Sequence, residues 1–119
     1  RSSSSHFLFF YDYMQIMSRL EAIFIQDLIH LAPESEEKKE IDGELFFLCT
    51  TKFLLDSKSA WSVEEQKNHI RSLRDKGYIK ISHKGSIPKK RWVHINITKI
   101  SHDIDTILLS NEKEYIYDN

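Results

Sequence analysis

Lys84, Lys89, Lys90 and Arg91 put four cations within eight residues, in a stretch that also holds Gly85 and Pro88. Cations at that density neutralise phosphate oxygens well, which gives affinity and salt dependence but little sequence information. Upstream, Lys67, Asn68 and Arg71 follow one another at helical spacing. Asparagine can pair bidentately with adenine and arginine with guanine, so these three suit base edges. Glu64 shares their face. It can complement the positive end of a helix dipole or accept from a cytosine amino group. Asp75 stands four residues beyond Arg71, the spacing of a helical ion pair.

The charge is segregated along the whole chain. Residues 67–99 hold ten Lys/Arg and one acidic residue, Asp75. Residues 1–66 hold six basic and twelve acidic residues, and residues 100–119 hold one and five. The overall charge of −1 therefore hides a strongly basic segment between two acidic ones. A solvated face is the plain reading of a charge run, but so lopsided a cluster argues for an anionic partner.

Other chemistries find little support. The six histidines include no His-x-x-x-His pair, and the single cysteine rules out a Cys-x-x-Cys motif, so no metal is expected. His83 and His94 facing each other across a hairpin would still be only two ligands. Cys49 lies in an apolar run, where a thiol is inert, and it excludes an internal disulfide. With three glycines there is no Gly-rich phosphate loop. No nucleophile–base pair stands out, so neither catalysis nor a cofactor is expected. A lone thiol fits a reducing, cytoplasmic setting. No apolar run approaches the ~18 residues that span a bilayer.

The elements that must position these residues follow from periodicity. Residues 1–6, RSSSSH, read as a disordered or expression-derived tail. Segment 7–17 reads as an extended lead-in and a short helical turn. Ser18 and Glu21 form a capping box for a helix with Leu20, Ile23, Phe24, Leu28 and Leu31 inward, Ile25 and Ile29 as a second stripe, and Pro33 at its end. Residues 34–44 read as a polar connection with a turn at Asp42-Gly43. LFFLCT (45–50) reads as a strand covered on both faces, and Thr50 or Thr51 caps a brief helix.

Ser62 and Glu65 make a second capping box, for a helix reaching Lys76 and stopped by Gly77. Val63, Gln66, Ile70 and Leu73 face inward, with His69 half-buried. Segments 78–84 and 92–100 alternate as strands around the basic loop 85–91. Trp92 is expected to pack on the helix beneath it, and Trp61 in the core. Ser101 then caps a last helix with Ile104, Ile107 and Leu108 inward. Residues 111–119 read as an acidic C-terminal tail, leaving 7–110 as one domain.

The order helix, strand, helix, helix, strand, loop, strand, helix carries a resemblance. Glu65-Gln66, Leu73, Gly77-Tyr78-Ile79, Gly85, Pro88, Lys90-Arg91 and Ile95-Asn96 resemble the winged-helix domains of bacteriophage and plasmid-type replication initiation and regulatory proteins. The helix AIFIQDLIHL (22–31) and the strand GELFFLCT (43–50) look like the first helix and strand of such domains. The resemblance covers roughly residues 18–100. It implies a domain that binds double-stranded DNA, often as the front half of a longer protein. This chain has no second domain to recruit a helicase or loader, which points to a fragment or a stand-alone regulator.

The expected fold is thus α+β: a winged helix-turn-helix, with a three-helix core, a small antiparallel sheet and an additional C-terminal helix. The expected partner is double-stranded DNA in transcription regulation or replication initiation. Glu64, Lys67, Asn68 and Arg71 would sit on the recognition helix, and Lys84, Lys89, Lys90 and Arg91 on the backbone-gripping wing. A homodimer would form through the C-terminal helix. The alternative is a winged helix used for protein–protein interaction without DNA, with a replication or transcription protein as partner.

Overall fold

The computed structural model describes residues 10–85 and 88–118, with side chains through residue 111. Residues 1–9, which include the expected tail and the start of the aromatic segment, lie outside that range, as do Ser86 and Ile87 within the basic loop.

The chain opens with a single helical turn, α1 (Phe10–Tyr13). Helix α2 (Arg19–Leu31) begins where Ser18 Oγ accepts from the Glu21 N–H and Glu21 accepts from the Ser18 N–H, at 3.2 and 2.8 Å. This reciprocal pairing satisfies two N–H groups that a helix start leaves orphaned. Phe24, Ile25 and Leu28 are fully buried, whereas Leu20, expected inward, is exposed. A 3₁₀ turn, Ala32–Glu34, holds Pro33 and closes the helix.

The expected polar connection is partly a strand. β1 (Lys38–Ile41) pairs antiparallel with β2 (Glu44–Leu48) in the register Lys38↔Phe47 to Ile41↔Glu44. Asp42 and Gly43 both take positive φ, 51° and 82°, as a tight hairpin turn demands. β1 has only Ile41 to bury, so it lacks the apolar alternation that marks a strand in sequence.

Thr50 caps α3 (Thr51–Leu55) by accepting from the Phe53 N–H at 3.1 Å. Helix α4 (Val63–Asp75) starts on the second capping box, Ser62 with Glu65. Gln66, Ile70 and Leu73 point into the core, but Val63, in the first turn, is 56% exposed. Gly77 ends the helix region at φ +82°, with the Tyr78 N–H reaching back to the Leu73 carbonyl at 3.0 Å. A Cβ at Gly77 would lie 3.0 Å from Lys99 Cε, the end of a flexible side chain. Gly77→Ala should therefore cost about 1–2 kcal/mol, chiefly for the left-handed backbone. A urea titration reads this directly; an unchanged midpoint would show that the turn relaxes without strain.

β3 (Ile79–Ser82) and β4 (Trp92–Ile95) complete one antiparallel sheet in the order β1-β2-β4-β3. The last strand is shorter than its alternating pattern, because Asn96 redirects the chain. Its N–H still donates to the Tyr78 carbonyl, while its side chain accepts from the Lys99 N–H at 3.1 Å. Asn96, not Ser101, caps α5 (Ile97–Asp118). Ser101 lies inside that helix and is buried, and its Oγ has no partner among the described residues. The helix also runs through most of the segment expected as a tail.

One sheet face, through Phe47, Ile79 and Val93, packs on α2, α4 and the start of α5. The other carries a small cluster of Phe46, Leu48 and Trp92. Trp92 thus packs on the outer face of the sheet, not on a helix, and the Lys39 ammonium lies 4.1 Å above its ring. Trp61 is buried in the main core, its indole N–H donating to Asp27 at 2.9 Å. Among the described residues no helix is long and apolar enough to cross a membrane.

Candidate nucleic-acid interface

Helix α4 presents the expected recognition residues outward. At 100° per residue, Glu64, Asn68 and Arg71 lie opposite the buried Gln66, with Lys67 on the flank. All four are exposed and have no side-chain partner among the described residues. The Arg71–Asp75 pair is not formed; Asp75 instead lies 3.8 Å from Arg74. Glu65 belongs to the cap. The Ser62 N–H donates to it at 2.9 Å and holds its carboxyl below the usual range.

The hairpin between β3 and β4 supplies the rest. Lys89 and Lys90 are exposed. The Lys90 carbonyl lies 3.1 Å from His83 Nδ1. Lys84 is exposed too, its ammonium 3.6 Å from Asp42 in the β1–β2 turn. Lys39 of β1 donates to the Lys84 carbonyl at 2.7 Å, which ties the two hairpins together.

Arg91 differs from its neighbours. Its Nε donates to the Cys49 carbonyl at 2.7 Å and its Nη2 to Gln66 Oε1 at 2.9 Å. Its guanidinium is directed into the fold, although the residue was expected to grip phosphate. Gln66 is only 1% exposed. Its amide nitrogen donates to the Thr51 and Trp61 carbonyls at 3.1 and 2.9 Å. The two bonds to carbonyls and the one from a guanidinium fix which way the amide points. This junction brings the base of the hairpin against the first turns of α4. Lys89 and Lys90, the two residues before Arg91, are exposed beside that point.

Sequence reasoning placed Gln66 inward but missed its hydrogen bonds. The available signal was a polar side chain on a core stripe, which must find partners. Lys39 carried no signal, because β1 was not read as a strand.

Several titratable groups outside the helix face and the hairpin are engaged with the fold. Burial pushes the Cys49 thiol up to about 11, against the pull of nearby Arg91, so it stays protonated near neutral pH. His69 is half-buried between Phe24 and Trp61, at ring separations of 5.3 and 5.5 Å. His94 stands opposite Lys80, not His83, and lies 3.2 Å from Glu44. Among the described residues no three His, Cys, Asp or Glu side chains converge as metal ligands.

Comparison with protein-family models, curated proteins and solved structures found no match. Function therefore has to be argued from the geometry of the helix face and the hairpin.

Proposed function

We propose that this chain is a winged helix-turn-helix domain that binds double-stranded DNA, in the manner of the phage and plasmid-type initiation and regulatory proteins it resembles. In this reading α3 and α4 are the helix-turn-helix and the β3–β4 hairpin is the wing. α4 enters the major groove, with Lys67, Asn68 and Arg71 at base edges. Lys84, Lys89 and Lys90 lie along the adjacent phosphates. The observation that carries the reading is the junction of α4 with the hairpin. An exposed polar helix face and a cationic loop come from consecutive elements joined through Gln66 and Arg91. The order β2-β4-β3 within the four-stranded sheet, with β3 against α4, also supports it.

The decisive experiment is selection of bound sequences from a random duplex pool. A palindromic consensus fits a dimeric regulator; α5, whose Leu109 is exposed, is the proposed dimer contact. Tandem direct repeats fit replication initiation. No binding at low salt would remove the proposal. Within a selected site, Asn68→Ala and Arg71→Ala should each cost about 1–3 kcal/mol of discrimination against the wrong base. Competition against single-base variants measures this, and unchanged preference in both would take α4 out of the groove.

A second reading, as a protein-interaction module, has one observation in its favour. Leu45 and Ile97 are exposed beside an apolar groove that also includes Ile29, Pro33 and Ile95. The same low-salt binding assay separates the two readings.

A further inference from the structure

We propose that Arg91 and Gln66 form a positioning junction that sets the cationic hairpin relative to the reading helix. Arg91 would then serve recognition through its bonds to Cys49 and Gln66 and contact no phosphate; this inference rests on the DNA-binding reading above. Three bonds hold Arg91 in place. Its carbonyl accepts from the Cys49 N–H at 2.9 Å, its Nε donates to the Cys49 carbonyl, and its Nη2 donates to Gln66. It therefore clamps the end of β2 at the same time as it bonds α4. Gln66 answers from a site that is almost wholly buried, and its other two bonds go to the first residue of α3 and to the turn before α4.

The junction thus ties β2, α3, α4 and β4 together at one point. Lysine cannot reproduce it, because an ammonium lacks the planar fork that aims two N–H groups at separate acceptors. Glutamate at position 66 would set a carboxylate oxygen against the Thr51 and Trp61 carbonyls. Lys89 and Lys90 immediately precede this anchored residue and are exposed, whereas the Arg91 guanidinium turns into the fold. Phosphate gripping and hairpin placement are thereby divided between adjacent residues that look alike in sequence.

The test compares the full chain with Lys89→Ala, Arg91→Ala, Arg91→Lys, Gln66→Met and the Arg91→Lys/Gln66→Met double variant. Affinity is measured for a selected duplex and for mixed-sequence duplex over 50–200 mM salt. Circular dichroism fixes a temperature at which every variant is folded. Lys89→Ala should lower the slope of log affinity against log salt by roughly 0.9, and Arg91→Ala should change it by less than about 0.3. Arg91→Lys keeps the charge but should reduce the ratio of selected to mixed-sequence affinity roughly tenfold, the worth of one base contact. That ratio does not depend on the fraction of active protein, so a merely structural loss leaves it unmoved. The double variant should lose no more discrimination than the worse single one, because the two residues act as a unit.

A drop of roughly 0.9 in slope for Arg91→Ala would make it a phosphate contact and overturn the inference alone. So would an unchanged ratio in Arg91→Lys, or additive losses in the double variant. Failure of the unmodified chain to bind any duplex at 50 mM salt would overturn the DNA-binding reading and this inference with it.

Discussion

Replacing Glu21 with alanine should lower the free energy of unfolding by about 2–4 kcal/mol. This carboxylate is only 6% exposed and serves two helices at once. It closes the capping box at the start of α2 and accepts from the Lys76 ammonium through both oxygens, at 2.9 and 2.8 Å. It also accepts from the Ser72 hydroxyl. Lys76 follows α4, so its cation also meets the negative end of that helix. Alanine removes all of these contacts. Lys76, 38% exposed, can recover water, which keeps the loss below that of a fully buried pair.

Acid should act through the same group. Burial alone would raise the Glu21 carboxyl, but hydrogen bonds from Lys76, Ser72 and Ser18 outweigh it and bring it from 4.5 down to about 2. Between those values the unfolded chain binds the proton and the folded chain does not, so stability rises with pH there. The contribution is complete above pH 5.5 or so, and it falls away as pH drops through 4.5 toward 2. By pH 3 about 2 kcal/mol of it should be gone. Glu21→Gln keeps an acceptor for the cap but no charge. Wild type should therefore lose about 2 kcal/mol more than this variant between pH 6 and pH 3 in urea titrations. Glu44 and Asp103, also held low, are present in both proteins and drop out of the difference. Equal losses would mean that the Lys76 bonds do not hold the carboxyl down.

What was legible in the sequence was local. The two capping boxes need only residues three apart, and both formed on the residues expected. Gly77 was readable as a stop because a left-handed residue is a requirement of the backbone itself. The errors arose where a partner distant in sequence decides. KKEI is a strand because β2 lies beside it after a two-residue turn, and its own side chains barely alternate in polarity. Ile95-Asn96-Ile97 continues the alternation of β4, yet Asn96 can cap, and the helix captures the residues after it. Val63 has the right type for the core, but its position in the first turn leaves it outside.

The candidate site divides in the same way. The outward face of α4 follows from helical geometry once Ile70 and Leu73 are inside, and the exposed residues there are those expected. Arg91 could not be separated from Lys89 and Lys90 by any local rule. Only the distant Cys49 carbonyl and the Gln66 amide distinguish it. The Glu21–Lys76 pair, in which both carboxylate oxygens accept from one ammonium, spans fifty-five residues and leaves no local signature beyond the role of Glu21 in a cap.

The Arg91 bonds sharpen the test of the wing. With Arg91 directed inward, Lys89 and Lys90 become the principal exposed cations at the base of the hairpin, while Lys84 lies near Asp42. The Lys89→Ala/Lys90→Ala variant should flatten the slope of log affinity against log salt by about 1.8, as loss of two phosphate contacts requires. Over a fourfold rise in salt, from 50 to 200 mM, the gap between wild type and variant should then shrink roughly tenfold. The change should be the same on selected and mixed-sequence duplex, because phosphates carry no base identity. Stability should be unaffected, since both side chains are exposed. Fluorescence anisotropy on labelled duplex at four salt concentrations gives the slope. A parallel line displaced to weaker affinity would mean that the lysines act through the fold, and a superimposable line would take the hairpin off the phosphate backbone. Only a shallower line with an intact thermal midpoint fits a wing whose cations release counterions when it docks.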